Sequence, residues 1–267
     1  MRLKPVAAIL LRQWYLLRGS PVRALPMFAW VGIDVVLWGF ISRFLNSVSA
    51  AAINFTAVFL GAVLLWDLCG RVMQGLTTAF LEDVWSRNFL NLFASPLRIS
   101  EYVTGLVLAS IATSLIGLTV MLVLAVPVFG LSFLALGLHL LLFLLVLYAF
   151  GVALGIVASA LVLRFGPASE WLVWPIPALL SPFCAVFYPL SILPAWMRGL
   201  SYLLPPSYVF EGMRAVLEGR RFAPLPALVA LTLAALEIAL AGWYFVRVYR
   251  RAVRTGLLAR YSAETVS

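Results

Sequence analysis

Residues 102–163 read YVTGLVLASIATSLIGLTVMLVLAVPVFGLSFLALGLHLLLFLLVLYAFGVALGIVASALVL and contain no formally charged side chain. A helix that crosses a bilayer needs about 20 apolar residues. These 62 residues therefore predict two crossings joined by a turn. Turn-forming residues lie between Pro127 and Gly130. We expect a third membrane span over about 102–126 and a fourth over about 131–163.

The composition of the whole chain also indicates a membrane protein. Its 267 residues are 64% hydrophobic and 11% charged, whereas a soluble domain is about 25% charged. Too few polar side chains exist to cover the surface of a water-soluble globule. A disordered chain, a coiled coil and a disulfide-stapled secreted fold are excluded on the same ground.

The counts of lysine, histidine and cysteine exclude several kinds of catalytic site. A Walker A phosphate loop requires a lysine after its glycines, and the only lysine, Lys4, lies in no such loop. A zinc site requires clustered ligands, but His139, Cys69 and Cys184 lie apart in apolar runs. A Ser-His-Asp triad would also depend on the single His139. We therefore predict no catalytic residues, no metal ligands and no cofactor on this chain.

Four more spans follow from the other apolar runs. The first covers about Val22–Leu45, the second about Asn54–Phe80 and the sixth about 224–246. The fifth begins near Glu170, and prolines interrupt it, so we expect this span to bend and its far end to be irregular. Its prolines are Pro175, Pro177, Pro182, Pro189 and Pro194. The prediction is an all-α, polytopic membrane protein in which residues 1–267 form a single transmembrane domain with six transmembrane helices.

Two amphipathic segments flank these spans. In residues 1–20 an apolar stripe at helical spacing predicts an interfacial helix, and the alternative is a frayed extension of the first span. Residues 194–222 predict two short helices, and Pro205 and Pro206 separate them. Ser207 is expected to cap the second of these helices. Neither short helix is long enough to cross a membrane. The stripe of the first segment consists of Leu3, Val6, Leu10, Trp14 and Leu17.

Small residues recur four positions apart on the third and fourth spans. Such ridges allow helix backbones to approach closely in lipid, and so they predict packing within the bundle. The ridge residues are Gly105, Ala109, Thr113 and Gly117 on the third span, and Gly151, Gly155 and Ser159 on the fourth.

The positions of the basic residues predict the orientation. With a cytoplasmic N-terminus, 13 of the 19 Lys and Arg residues lie on the inner side, 5 lie on the outer side, and Arg71 lies within the membrane. Basic residues collect on the cytoplasmic side of membrane proteins. Both termini and residues 82–101 are therefore expected in the cytoplasm, and residues 194–222 on the extracytoplasmic side.

Four charged residues fall inside predicted spans, where a charge is costly unless it is paired or functional. Asp67 and Arg71 are four positions apart, and this spacing favours a self-neutralising pair. Asp34 and Glu237 have no partner nearby in sequence. Each is expected to pair with Arg71 across helices, to face a polar conduit, or to be protonated.

The back half of the chain carries a motif that resembles a known family. Residues 182–219 read PFCAVFYPLSILPAWMRGLSYLLPPSYVFEGMRAVLEG. Together with the six spans, the basic N-terminal helix and the Ser95-Pro96-Leu97 sequence before the third span, this stretch resembles the ABC-2-type permease family, the membrane subunits of one class of ABC exporter. The matching elements are Tyr188-Pro189-Leu190, Leu193-Pro194, Trp196, Leu204-Pro205 and Glu211-Gly212-Met213-Arg214.

The resemblance implies partners and a location. Such a permease pairs with a second permease copy, identical or related, and docks onto two copies of a cytoplasmic ABC ATPase subunit that binds ATP and Mg²⁺. The implied location is the bacterial cytoplasmic (inner) membrane, with lipid around the chain and no nucleic-acid partner. The implied substrates are drug-like amphipathic molecules, lipids or lipid-linked polysaccharides.

The polar segment after the second span is the expected coupling helix, over residues 82–93. Trp85, Phe89 and Leu92 lie on one face and would fill a groove on the ATPase. The rim contacts would come from Glu82, Asp83, Arg87 and Asn88. The alternative is a connecting helix that lies on the membrane surface.

Aromatic residues surround the fifth span and the helices after it. They predict either an interfacial belt or the lining of a substrate path or gate. The gate candidates are Phe183, Phe187, Tyr188 and Trp196. Two other classes of function stay open: a secondary transporter or channel that works without an ATPase, and an intramembrane enzyme, which lacks paired catalytic residues.

Overall fold

A computed structural model of the chain describes residues 2–48, 55–86, 92, 95–133, 136–166, 169–220 and 223–255. Within these ranges the regular structure is helical, and none of the described residues forms a strand. An all-α fold agrees with the composition, because a helix satisfies its own backbone hydrogen bonds where no water is present.

The front half contains five long helices. In chain order they are α1 (Leu3–Arg18), α2 (Pro21–Val48), α3 (Gly61–Trp85), α4 (Ile99–Phe129) and α5 (His139–Phe165). A π-helical turn, Thr56–Leu60, leads directly into α3.

The back half consists of short helices and one long one. These are α6 (Glu170–Val173), α7 (Ile176–Leu180), α8 (Ala195–Ser201), α9 (Pro205–Leu217) and α10 (Pro224–Arg254). A 3₁₀ turn, Leu190–Ile192, lies between α7 and α8.

Five helices of the described ranges are long and apolar enough to cross a membrane, so the predicted count of six is not confirmed. They are Ala29–Val48, Thr56–Val84, Ile99–Phe129, His139–Phe165 and Pro224–Arg254. The predicted fifth span is instead α6 and α7, which Trp174 and Pro175 separate. Pro175 and Pro177 have no backbone N–H to donate, which explains why this helix is interrupted.

Two turns differ from the sequence prediction. Pro127 lies inside α4, and the chain turns only at Gly130, whose φ is 66°. The next helix begins at His139 rather than near residue 131. Gly137 has a φ of 53°, a left-handed conformation that keeps the preceding segment out of the helix.

The prolines before α9 begin this helix rather than break one. Pro205 and Pro206 are its first two residues, and Leu204 is its N-cap. The predicted cap, Ser207, is wrong: its hydroxyl donates to the carbonyl of Ser201 at 2.7 Å. Proline suits the first turn of a helix because the N–H it lacks has no helical partner there.

Small residues hold the centre of the bundle together, as predicted. The helix α3 packs against α4 and α5, and α5 also packs against α10. A Cβ atom on Gly151 would lie 2.8 Å from the carbonyl oxygen of Cys69, and one on Gly155 would lie 2.8 Å from a methyl carbon of Leu76. The two helices therefore touch backbone to backbone, which larger residues would prevent.

The first helix docks on α4 through Ile9 and through Val6, the one fully buried residue of the predicted stripe. Val6 and Ile9 are buried, whereas Leu3 and Trp14 are 81% and 51% exposed. A Cβ atom on Gly105 would lie 2.6 Å from the Cβ atom of Ile9. Helix α1 ends at Arg18 before α2 starts, so it is not an extension of the first span.

Candidate functional site

Three residues form a buried hydrogen-bond network where α1 meets the last turn of α3, which we call the α1 end of the bundle. Asp83 is fully buried. It accepts hydrogen bonds from Arg12 Nη1 at 2.9 Å and from the Tyr102 hydroxyl at 2.8 Å. Arg12 Nη2 also pairs with Asp83 Oδ1. The carboxylate of Asp83 raises the pKa of the Arg12 guanidinium above its ordinary value.

A second ion pair ties α1 to the start of α4. Arg2 Nε donates to Glu101 Oε1 at 3.0 Å, and Arg2 Nη2 donates to Glu101 Oε2 at 2.9 Å. The backbone N–H of Arg98 also donates to Glu101, which completes a capping box at the start of α4. Arg2 further contacts the carbonyl of Pro96. The two ion pairs hold both ends of the segment between α3 and α4 against the first helix.

The residues of the predicted coupling helix are distributed differently from the expectation. Glu82, Asp83 and Trp85 belong to the last turn of α3, which has no helix breaker after Phe80. The sequence predicted that Asp83 contacts the ATPase at the rim of the interface. This prediction is wrong, because the carboxylate of Asp83 is buried and binds Arg12 and Tyr102.

Of residues 87–93, the structure describes Leu92 alone. Leu92 packs against the bundle's own core, in the cluster that contains Phe80 and Tyr102. The remaining candidates lie outside the described residues; these are Arg87, Asn88, Phe89 and the predicted helix end, Phe93.

The intramembrane pair that the sequence predicts is present. Arg71 Nε donates to Asp67 Oδ2 at 2.5 Å within α3. The stem of Arg71 passes Gly117 of α4, where a Cβ atom would lie 3.4 Å from Arg71 Cδ. Asp34 of α2 interacts electrostatically with Arg71. Glu237 differs: its Oε2 atom is buried without a hydrogen-bond partner in the described part of the chain.

At the opposite end of the bundle, a buried arginine holds the irregular segment after α7. Arg214 of α9 donates to the carbonyls of Ala185 at 2.9 Å and Val186 at 3.3 Å. It also donates to Glu211 at 3.1 Å, and Glu211 accepts the backbone N–H of Leu190 at 2.7 Å. Burial lowers the pKa of the Arg214 guanidinium, although arginine stays charged in proteins.

Ala185 has the one positive φ of a non-glycine residue in the described ranges, 52°. Such a left-handed conformation costs an alanine about 1–2 kcal/mol. Arg214 donates hydrogen bonds to the carbonyl of Ala185 and to that of the next residue, Val186, and these two bonds stabilise the left-handed conformation. The sequence placed Arg214 in the family motif, and its spacing from Glu211 and Glu218 predicted a neutralising group. The pair with Glu211 is present, whereas the bonds to the segment after α7 were not predicted.

One of the predicted gate residues, Phe187, belongs to a group of aromatic contacts that the sequence did not reveal. Phe187 stacks on Trp38 of α2, with ring centroids 5.9 Å apart and an interplanar angle of 17°. Both rings also contact Phe59, at 5.4 Å from Trp38 and 5.3 Å from Phe187. These three residues, Trp38, Phe59 and Phe187, are called the aromatic cluster below.

The other three gate candidates, Phe183, Tyr188 and Trp196, make contacts outside the aromatic cluster. Trp196 packs edge-on against Phe183 at 6.2 Å. The hydroxyl of Tyr188 donates to the carbonyl of Pro182 at 2.9 Å. Trp38 and Phe59 lie 21 positions apart, and no local sequence signal indicates that they meet.

A narrow cleft follows α3 toward its end. It is lined by Gln74, Thr77, Thr78 and Leu81 of α3 and by Val173 and Trp174. Among the described residues, no group of three His, Cys, Asp or Glu side chains is placed to hold a metal ion.

The long apolar helices and the buried ion pairs define a multi-pass helical membrane protein. Comparison with known families is more specific: the profile of the ABC-2 type transporter matches residues 22–217. The chain therefore belongs to the ABC-2 type transporter family and is a membrane permease. Members of this family generally work with an ABC ATPase. A comparison with curated proteins gave no match.

Proposed function

We propose that the chain is the permease subunit of an ATP-driven exporter. The observation that carries the proposal is the family match over residues 22–217. The sequence has no Walker A lysine, so ATP and Mg²⁺ would bind to a separate cytoplasmic ATPase, present in two copies. Two permease copies would form the substrate path in the bacterial inner membrane, and both termini would face the cytoplasm.

In this proposal the α1 end of the bundle faces the ATPase. The last turn of α3 and the segment that follows it would receive the movement of the ATPase. Glu82 and Trp85 belong to that last turn, and Arg87, Asn88 and Phe89 belong to the segment. Leu92 anchors this segment to the core.

The Arg12–Asp83 and Arg2–Glu101 pairs would transmit that movement. They fix the end of α3 and the start of α4 to α1. A push on the segment between the two helices therefore moves three helices together. Asp83 is a positioning residue in this mechanism, because its buried carboxylate makes no contact with the ATPase.

The opposite end of the bundle would face the exterior and form the gate. Arg214 fixes the segment after α7, and this segment carries Phe187 against Trp38. Outward opening would separate these stacked rings. Helices α8 and α9 would shape the exit, with Tyr188 and the Phe183–Trp196 contact beside it.

Co-expression with the ATPase tests the proposal. The partner is the soluble protein with a Walker A loop that the neighbouring reading frame would encode. We expect stable co-purification, and we expect Trp85→Ala or Phe89→Ala to abolish ATPase coupling. Trp243→Ala is the matched control, because Trp243 is 59% exposed on the apolar face of α10.

Unchanged assembly and ATPase activity in both Trp85→Ala and Phe89→Ala would contradict the assigned coupling segment. The permease alone in liposomes should transport nothing. Substrate flux without the ATPase would instead favour a secondary transporter or channel.

A further inference from the structure

Exposed arginines collect where α5 and α10 end, at the α1 end of the bundle. Val248 and Ala252 of α10 belong to the same core cluster as Ile9 of α1. Phe245 of α10 also packs edge-on against Phe80 of α3 at 5.8 Å. The end of α10 and the first helix therefore lie at the same end of the bundle. The exposed arginines are Arg164 in the last turn of α5, and Arg247, Arg250, Arg251 and Arg254 in α10.

The positive charge of these five arginines is not balanced by nearby carboxylates. None of them takes part in an ion pair within the described ranges. The sequence of α5 contains no acidic residue. The sequence of α10 contains one, Glu237, which lies about 15 Å before Arg247 along the helix axis. Both helix ends are therefore free to attract an anion.

Three of the arginines lie around Tyr244. Arg164 Nη1 donates to the Tyr244 hydroxyl oxygen at 3.3 Å, and this bond joins α5 to α10. Arg247 and Arg251 follow Tyr244 by one and two helical turns, which places them on the same face of α10. They lie about 5 Å and about 10 Å beyond Tyr244 along the helix axis. The four residues Arg164, Tyr244, Arg247 and Arg251 are called the α5–α10 basic site below.

The α5–α10 basic site presents hydrogen-bond donors without a carboxylate. The Tyr244 hydroxyl accepts from Arg164, and its own hydrogen has no acceptor among the described residues. The guanidinium groups of Arg247 and Arg251 donate no hydrogen bond within the same ranges. A phenol both donates and accepts, and arginine pairs with phosphate through two parallel hydrogen bonds. This arrangement suits a phosphate group.

The site lies at the boundary between hydrocarbon and water. Helix α10 has 31 residues and is about 46 Å long, whereas the hydrocarbon core of a bilayer is about 30 Å thick. Residues 225–246 contain no basic side chain, and Arg247 is the first one after them. Phe165 and Trp243 are each 59% exposed, as aromatic residues at the level of the headgroups are. The arginines therefore extend into the headgroup layer.

The same face of α10 is apolar on the hydrocarbon side of Tyr244. Leu240 and Leu236 precede Tyr244 by one and two helical turns. They are 55% and 54% exposed, so this surface is open to acyl chains. One continuous face thus presents leucines to the hydrocarbon and arginines to the headgroups. A ligand that fits both parts has an anionic headgroup and apolar chains.

We propose that the α5–α10 basic site binds the headgroup of an anionic phospholipid. Arg164 and Arg247 bind the phosphate, Tyr244 donates to one of its oxygens, and Arg251 adds attraction one turn further out. The bound lipid holds α5 and α10 together. This inference goes beyond the proposed export function and does not depend on it, because binding requires neither the ATPase nor a substrate. In the proposed orientation the lipid belongs to the cytoplasmic leaflet.

Comparison of two phospholipids tests the site on the permease alone. The purified permease in detergent is titrated with phosphatidylglycerol and with phosphatidylcholine of the same acyl chains, and native mass spectrometry counts the bound lipid. We expect phosphatidylglycerol to bind about tenfold more tightly, because phosphatidylcholine has no net charge. Inorganic phosphate at the same concentration should not displace phosphatidylglycerol, because it has no chains. Equal binding of the two lipids, or displacement by inorganic phosphate, would overturn the proposal.

Arginine variants locate the site. Arg164→Gln and Arg247→Gln should each weaken the binding of phosphatidylglycerol about fivefold. Arg250→Gln is the matched control on the same helix, since Arg250 lies about 120° around the helix from Tyr244. If Arg250→Gln weakens binding as much as Arg247→Gln, the lipid responds to net charge alone and the site is wrong. If Arg164→Gln does not fold, Arg247→Gln gives the same comparison.

An arginine at the opposite end of the bundle provides a second control. Arg43 is exposed near the end of α2, where Asn46 donates to Thr56 at the start of the second span. Arg43→Gln should change the binding of phosphatidylglycerol less than about twofold. A fivefold loss in this variant would also argue against a site between α5 and α10.

The complex with the ATPase separates the lipid from a protein partner. An acidic surface of the ATPase is the alternative occupant of the arginines. If Arg247→Gln lowers co-purification of the ATPase while the binding of phosphatidylglycerol is unchanged, the arginines bind protein and the lipid site is wrong. Binding of phosphatidylglycerol by a permease that assembles with no ATPase would contradict the export function and leave the lipid site intact.

Discussion

Arg12 and Asp83 are 71 positions apart in the chain, yet the guanidinium of Arg12 donates to the Asp83 carboxylate at 2.9 Å. The side chain of Asp83 is 1% exposed and that of Arg12 is 28% exposed. Tyr102 donates to the same carboxylate. This network joins α1, α3 and α4 at one point, and its loss should be visible in the stability of the whole bundle.

We expect Asp83→Ala to lower the free energy of unfolding by about 3–5 kcal/mol, because Arg12 would be left as a partly buried charge without its partner. Chemical unfolding in detergent measures this loss. The control is Glu218→Ala, whose exposed pair with Arg220 should contribute less than about 1 kcal/mol. The double variant Arg12→Met, Asp83→Leu should recover much of the loss. If Asp83→Ala is as stable as the wild type, the hydrogen-bond network of Arg12, Asp83 and Tyr102 does not stabilise the bundle.

The contact between Gly105 and Ile9 gives a second prediction. Gly105→Ala should loosen the docking of α1 by about 1–3 kcal/mol, because the added Cβ would lie 2.6 Å from Ile9. Faster hydrogen exchange of the α1 amides would report this loss. Ile9→Gly in the same chain should relieve the clash, because it removes the Cβ atom of Ile9 as well as its Cγ2 atom. Gly32→Ala is the control, since no atom lies within 4 Å of its added Cβ.

The hydrogen bonds from Arg214 to the segment after α7 give a third prediction, a local loss of stability at the end of the bundle opposite α1. Arg214→Met leaves the carbonyls of Ala185 and Val186 without their donor. We expect a loss of about 1.5–3 kcal/mol, with faster hydrogen exchange over residues 184–193. Ala185→Gly should be nearly neutral, because relief of its left-handed φ offsets the lost methyl group. If hydrogen exchange over residues 184–193 is as slow in Arg214→Met as in the wild type, the hydrogen bonds of Arg214 do not stabilise that segment.

The stacking of Trp38 on Phe187 can be measured by a double-mutant cycle. Trp38→Leu and Phe187→Leu should show a coupling energy of about 0.5–1.5 kcal/mol in unfolding experiments. Trp38→Leu combined with Trp196→Leu provides the comparison, because Trp196 packs against Phe183 instead. Effects of residues without shared contacts add. An additive result for Trp38 and Phe187 would refute the stacked contact.

Local patterns in the sequence predicted the all-α membrane fold, the Asp67–Arg71 pair and the packing of the glycine ridges. Each of these depends on residues a few positions apart. A single sequence does not reveal contacts between distant positions, and so Arg12–Asp83, Arg2–Glu101 and Trp38–Phe187 were missed.

The helix boundaries were harder to predict than the helices themselves. The polar residues Glu82 and Asp83 suggest the start of a separate helix, but nothing in the sequence ends α3 before them. The prolines of the fifth span predicted an interrupted helix. The structure agrees, because two short helices, α6 and α7, take the place of one continuous spanning helix.

The ion pairs of α1 also constrain how the chain is made. Arg2 and Arg12 are synthesised before their partners, which follow 99 and 71 residues later. During translation the N-terminal helix must wait, undocked, until α3 and the beginning of α4 have left the ribosome. Helix α1 is therefore made before α3 and α4 but reaches its final position only after them.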